Sequence, residues 1–153
     1  MAVNTSTGFC AALLGTKSFE SIFDGGCIEV RSGVQPASAD MAPTGVLLAR
    51  ISRGGAVWTP GSSANGLRFA RNQQLVTSRD PDVWGLYGVA NGVAGWARLR
   101  AVQDSGAMSM DDKRIDFAVG LNSAVGDYQM LLPTTSISTT TAIPISSWFF
   151  MFP

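Results

Sequence analysis

From Gly26 onward, apolar and polar residues alternate with a period of two, and turn-forming residues interrupt the alternation at short intervals. Ile28 and Val30 alternate with Glu29 and Arg31, Leu47, Ala49 and Ile51 with Leu48, Arg50 and Ser52, and Leu67 and Phe69 flank Arg68. Ala97, Leu99 and Ala101 alternate with Arg98 and Arg100, and Ile115, Phe117, Val119 and Leu121 with Arg114, Asp116, Ala118 and Gly120; Tyr128, Met130 and Leu132 follow. Successive side chains on a strand point to opposite faces, so each run predicts a strand with one apolar face. Residues 83–90 and 142–152 are apolar at both parities and predict strands covered on both sides. Between the runs lie turn formers such as Pro43-Thr44-Gly45, Arg53-Gly54-Gly55 and Pro60-Gly61-Ser62. Asn91-Gly92, between two β-rich runs, predicts a two-residue type I′ hairpin. Many short strands without intervening helices predict an all-β fold of antiparallel sheets, a β-sandwich or jelly roll.

Only the first part of the chain reads differently. Phe9, Ala12 and Leu13 share one helical face, residues 18–23 read as a second short helix, and Asp24-Gly25-Gly26 stops it. The expected organisation is an N-terminal arm with a short helical segment over residues 1–25 and a β-sandwich domain over residues 26–153.

The chain has 153 residues, 46% hydrophobic and only 14% charged. That excludes intrinsic disorder. A soluble domain usually carries about 25% charged residues, so part of this surface is expected to face protein rather than water. Lys plus Arg and Asp plus Glu are both 11. A neutral chain has no electrostatic footprint for coating nucleic acid and nothing to repel its own copies. Nine of the eleven basic residues are Arg, the cation enriched at protein interfaces. Cys10 and Cys27 are too few for a disulfide framework and lack zinc spacing, which fits reduced thiols in a cytosol. No stretch approaches the ~20 apolar residues of a membrane span, and residues 9–14 lack the basic flank of a signal peptide.

The absence of histidine removes Ser-His-Asp and Cys-His nucleophile systems and the common zinc sites. Asp104, Asp111, Asp112 and Asp116 lie close in sequence, and Asp80 and Asp82 flank Pro81. A glycosidase would need two carboxylates about 5 to 9 Å apart, and a calcium site several converging oxygens. These residues fall mostly in loops without either spacing and read as turn and cap residues. No catalytic residue, cofactor or metal is expected. Gly85, Gly88, Gly92 and Gly95 have no following Lys, so they read as tight turns and close packing rather than a phosphate loop.

The candidate functional residues form interfaces. Trp96, Arg98 and Arg100 share one face of a strand, opposite Ala97, Leu99 and Ala101. Trp with Arg is a pairing enriched at binding hot spots; packing under a neighbouring loop, or a sugar platform, are the other readings of this row. Trp148, Phe149, Phe150 and Phe152 lie in a run of five large apolar residues, 148–152. Such a run left in water would aggregate. It is expected to complete its own sandwich or to add to another subunit as a strand.

Residues 26–45 carry a strand ending in Ser32-Gly33, the turn Gln35-Pro36-Ala37-Ser38-Ala39-Asp40, and Pro43-Thr44-Gly45 before Leu47-Leu48. In order follow Ala94-Gly95-Trp96-Ala97-Arg98, then Arg114-Ile115-Asp116 with Val119-Gly120, then Thr135-Ser136-Ile137 and Ile145-Ser146-Ser147-Trp148. This pattern, spanning nearly everything after Lys17, resembles small minor structural proteins of tailed bacteriophages; the run 148–152 departs from it. The resemblance implies a non-enzymatic virion component, assembled in the host cytoplasm: a head decoration (cement) protein bound to the major capsid protein and to copies of itself, without direct contact to nucleic acid or membrane. A tail or neck component is the alternative of the same class. A glycan-binding host-attachment module using Trp rings is the alternative of another class.

Overall fold

The computed structural model describes residues 3–126, 128–146 and 148–151. In chain order the elements are β1 (Asn4–Thr5), α1 (Thr7–Leu14), α2 (Phe19–Phe23), β2 (Cys27–Ser32), β3 (Leu47–Arg53), β4 (Phe69–Asn72), β5 (Leu75–Ser78) and β6 (Trp84–Gly88). They continue with β7 (Gly92–Arg100), β8 (Arg114–Leu121), β9 (Met130–Leu132), β10 (Ser136–Ile137), β11 (Ala142–Ile145) and β12 (Phe149–Met151). The fold is all-β, with two short helices at its start.

Two antiparallel sheets carry the strands. The larger runs β1-β8-β7-β2-β3-β6-β11, with β10 pairing the start of β7 and β9 pairing the end of β8 in parallel. The smaller is β12-β5-β4. One face of the large sheet is the predicted apolar face: Ile28, Val30, Ala49, Ile51, Leu86, Ala97, Leu99, Ile115, Phe117 and Val119 lie in one buried core. Phe9, Phe19, Ile22 and Phe23 from the helices pack into the same core, together with Phe69 and Val76 from the small sheet. Phe69 joins the layers: its ring centroid lies 5.3 Å from Phe19 and 5.3 Å from Trp84, both edge-on.

Helix starts follow their capping residues. The Ser18 hydroxyl accepts from the Ser21 amide at 3.2 Å. The Ser6 hydroxyl accepts from the Phe9 amide at 3.1 Å and from the Arg114 amide at 2.9 Å, and donates to the Asp112 carbonyl at 2.7 Å. One buried hydroxyl thereby starts α1 and ties it to β8.

Two local expectations are corrected. Asn91-Gly92 is not a hairpin turn, because β6 and β7 are not neighbours: β2 and β3 lie between them. Asn91 instead accepts from the Thr139 amide at 3.3 Å through Oδ1. The tight two-residue turn lies at Gln73-Gln74 between β4 and β5, with Gln73 in the left-handed region at φ 54°. The run 142–152 is also not one strand. It divides into β11, paired with β6 in the large sheet, and β12, paired with β5 in the small one.

Candidate functional site

The opposite face of the large sheet carries the mixed positions of the alternation, and these are buried as well. Register places Glu29 opposite Arg50 and Arg98, Arg98 opposite Asp116, and Arg100 opposite Cys27 and Arg114. Cross-strand neighbours lie about 5 Å apart, so strand pairing itself assembles a charge cluster. Glu29 is the hub: its carboxylate accepts from Arg31 at 2.9 Å, Arg50 at 3.1 Å and Arg100 at 3.0 Å. Asp116 and Arg98 form a bidentate pair at 2.7 and 2.8 Å.

Loops seal this face. The 101–113 loop supplies Asp104, which accepts from Arg114 at 2.6 and 2.9 Å, and Asp112, which accepts from the same guanidinium at 2.7 Å. The 33–46 loop is held by main-chain carbonyls: Met41 accepts from Arg98 at 3.0 Å and from Arg114 at 3.3 Å. The 54–68 loop lays Trp58 over the cluster, with its ring 5.7 Å from the Arg50 guanidinium and 5.6 Å from that of Arg100. The Trp58 indole donates to the Gly25 carbonyl at 2.8 Å. Arg supplies this role because its planar fork serves a carboxylate and loop carbonyls at once, which Lys cannot.

Electrostatics follow from burial and pairing. Burial pushes the Glu29 carboxyl up, but Arg100, Arg31 and Arg50 overcome it and leave it below the usual glutamate range. Burial likewise opposes ionisation of Asp112, and the Ser105 hydrogen bonds and Arg114 outweigh it, so it too titrates low. Asp116 goes the other way: desolvation raises it, with Arg98 and Arg114 offsetting only part. Burial, reinforced by Glu29, pushes the Cys27 thiol well up, so it is neutral and inert.

Comparison with protein-family models, curated proteins and solved structures finds no match. The arrangement itself therefore has to indicate its role. Asp104, Asp112 and Asp116 are each engaged by a guanidinium group. Among the described residues there is no group of three or more His, Cys, Asp or Glu placed to hold a metal ion. Nor is any described helix long and apolar enough to cross a membrane. What the cluster does is fasten loops to a sheet. A buried ion pair adds little stability over an apolar replacement, but removing one partner strands the other charge.

The interface candidates separate into two groups. Trp96, Arg98 and Arg100 are 0%, 2% and 6% exposed, enclosed by the chain's own loops. The row is therefore not a surface anchor in this fold; Arg98 and Arg100 neutralise sheet and loop carboxylates, and Trp96 stacks 5.4 Å from the Arg98 guanidinium. Trp148 is half-buried, 6.3, 5.3 and 5.4 Å from Phe19, Phe69 and Trp84, and Phe150 stacks on Phe19 at 5.8 Å. The backbone of Phe149 pairs with Thr77. The Phe149 side chain and Phe152 lie outside the described residues.

Sequence reasoning missed Glu29, Asp104 and Arg114 as parts of one cluster. The available signal was a charged residue centred between apolar neighbours in four different strands, at Glu29, Arg50, Arg98 and Asp116, together with the Arg bias. Trp96→Ala is accordingly expected to cost about 3–5 kcal/mol of unfolding free energy, the usual range for truncating a buried Trp. Urea denaturation measures it; a loss under about 1 kcal/mol would place Trp96 at a surface.

The network also sets a pH response. Glu29 and Asp112 have folded pKa values below their unfolded ones, so their stabilisation is complete above the ordinary carboxylate range and lost as pH falls through about 4 and below. Asp116, raised on folding, has the opposite sign and offsets part of that loss. The urea midpoint should fall steeply below about pH 4.5, and in Glu29→Gln it should be lower at neutral pH and flatter in acid. Equal acid slopes in both proteins would remove Glu29 from this role.

Proposed function

We propose that this chain is a non-enzymatic structural component of a tailed-phage virion, a decoration protein of the head that binds the major capsid protein. The resemblance carried by residues 26–45, 94–98 and 114–120 points to that class. The observation that carries the reading physically is a set of exposed methionines on two anchored loops beside the charge network. Met41, Met108 and Met110 are 45%, 77% and 65% exposed. Their loops touch each other, since the Ser109 amide donates to the Asp40 carbonyl at 2.8 Å. Both loops are fixed from beneath by Arg114, which binds the Met41 and Ala107 carbonyls. Methionine is adaptable and enriched at interfaces, and pre-ordering its backbone lowers the entropy lost on binding.

The attachment alternative needs exposed Trp rings as sugar platforms. Trp58, Trp84 and Trp96 are buried, and Trp148 is packed against three aromatic rings, which leaves that reading without its platform.

The test is binding to shells of the major capsid protein. Saturable binding that raises the temperature of shell rupture is expected, and Met108→Asp with Met110→Asp should weaken it at least about tenfold, or 1.4 kcal/mol, without changing the circular dichroism. Shells that neither bind the chain nor gain heat resistance would overturn the head assignment; binding to tail or neck complexes instead would move it there.

A further inference from the structure

β12 sits in a socket built by other elements. Trp148 and Phe150 contact Phe19 of α2, Phe69 of β4 and Trp84 of β6. The main chain of β12 pairs with β5, adding a third strand to what would otherwise be the β4–β5 hairpin. A two-stranded hairpin alone is marginal in water, so a third strand on this edge adds to what core packing of Phe69 and Val76 already supplies. β11 ends at Ile145 in the large sheet and β12 starts at Phe149 in the small one, so residues 146–148 alone join two strands of different sheets. Short hinges of this kind favour exchange of the terminal element between copies.

We propose that β12 is an exchangeable strand, and that in assemblies the socket formed by Phe19, Phe69, Trp84 and the edge of β5 takes the 148–151 segment of a second copy. This deepens the structural reading above and rests on it for the crowding that drives exchange. The chemistry of the occupant is defined by what the socket already holds: an extended segment placing aromatic rings at alternate positions, which an identical chain supplies with every contact preserved. Eleven basic against eleven acidic residues leave no net charge to hold two copies apart. Closure within one chain is favoured by an effective concentration on the order of millimolar for a short connection. Copies arrayed side by side on a shell meet at comparable local concentrations, so exchange competes there and not in dilute solution.

The test is disulfide trapping in a Cys10→Ser background, using the register pair Thr77 and Phe149. Directly opposed strand residues lie within the Cα separation a disulfide spans. A chain carrying both Thr77→Cys and Phe149→Cys should close internally in dilute solution, which verifies the register. Chains carrying Thr77→Cys alone are then mixed with chains carrying Phe149→Cys alone and oxidised from micromolar to about millimolar. A covalent heterodimer joined through these two positions by peptide mapping, rising at least about tenfold over that range, is the expected result. Internal closure of the double variant with no heterodimer at any concentration overturns the proposal, and so does failure of the double variant to close. The readout needs no capsid. Shell binding by chains that never exchange would leave the structural reading standing and remove this one, whereas exchange without shell binding would do the reverse.

Discussion

Arg114→Ala is expected to lower the free energy of unfolding by about 3–5 kcal/mol, the cost of stranding buried charges. That is a large part of the ~5–15 kcal/mol that holds a domain of ordinary stability together. Arg114 is fully buried, and its guanidinium serves Asp104 through two hydrogen bonds, Asp112 through one, and the carbonyls of Ala39, Asp40, Met41 and Ala107. Its removal leaves the Asp104 carboxylate with only a 3.4 Å contact to Arg100 from the guanidinium side. The 33–46 and 101–113 loops lose their shared anchor, so amide exchange should accelerate in both before global unfolding. Arg71→Ala, at an exposed position, should change stability by no more than about 0.5 kcal/mol. An Arg114→Ala protein within about 1 kcal/mol of the original in urea would show that the network is dispensable.

Phe69→Ala should have a comparable cost of about 3–5 kcal/mol for a different reason. Phe69 is fully buried and touches Phe19, Trp84 and Trp148, one ring each from helix, large sheet and the segment entering β12. Deleting it opens a cavity where three elements meet, and no single neighbour can relax into it without leaving another. The small sheet should become the first unit to open, seen as early exchange of the Val76 and Phe150 amides relative to Ile28 and Leu99. Uniform protection across both sheets would show that the two layers are coupled elsewhere.

These two sites differ in how legible they were. Phe69 falls in a predicted strand at an apolar position, and its burial follows from the period-two pattern. Arg114 falls at a polar position of an equally clear strand, where the same pattern says only that it lies opposite the apolar face. A polar parity means only "other face" and leaves open what covers it; here that face lies under loops. The acidic residues of the 101–113 loop look like turn formers in sequence; Asp104 and Asp112 meet Arg114 ten or fewer residues away, whereas Glu29 and Arg100 are 71 residues apart and meet only because their strands pair.

Local chemistry determined the strands at Ile28, Ile51, Leu99 and Ile115, the helix starts at Ser6 and Ser18, and the all-β class, since each depends on residues within a few positions of one another. Which strands pair is a long-range matter. Asn91-Gly92 has the composition of a hairpin, yet β6 and β7 are separated by β2 and β3. The run 142–152 has the composition of one strand, yet its halves enter different sheets. The tertiary structure alone decided both, because pairing is selected by the burial of a whole face. It also decided the fate of Trp96, Arg98 and Arg100: a row with the composition of a binding surface became an interior, once the loops carrying Trp58, Asp104 and Met41 folded down over it.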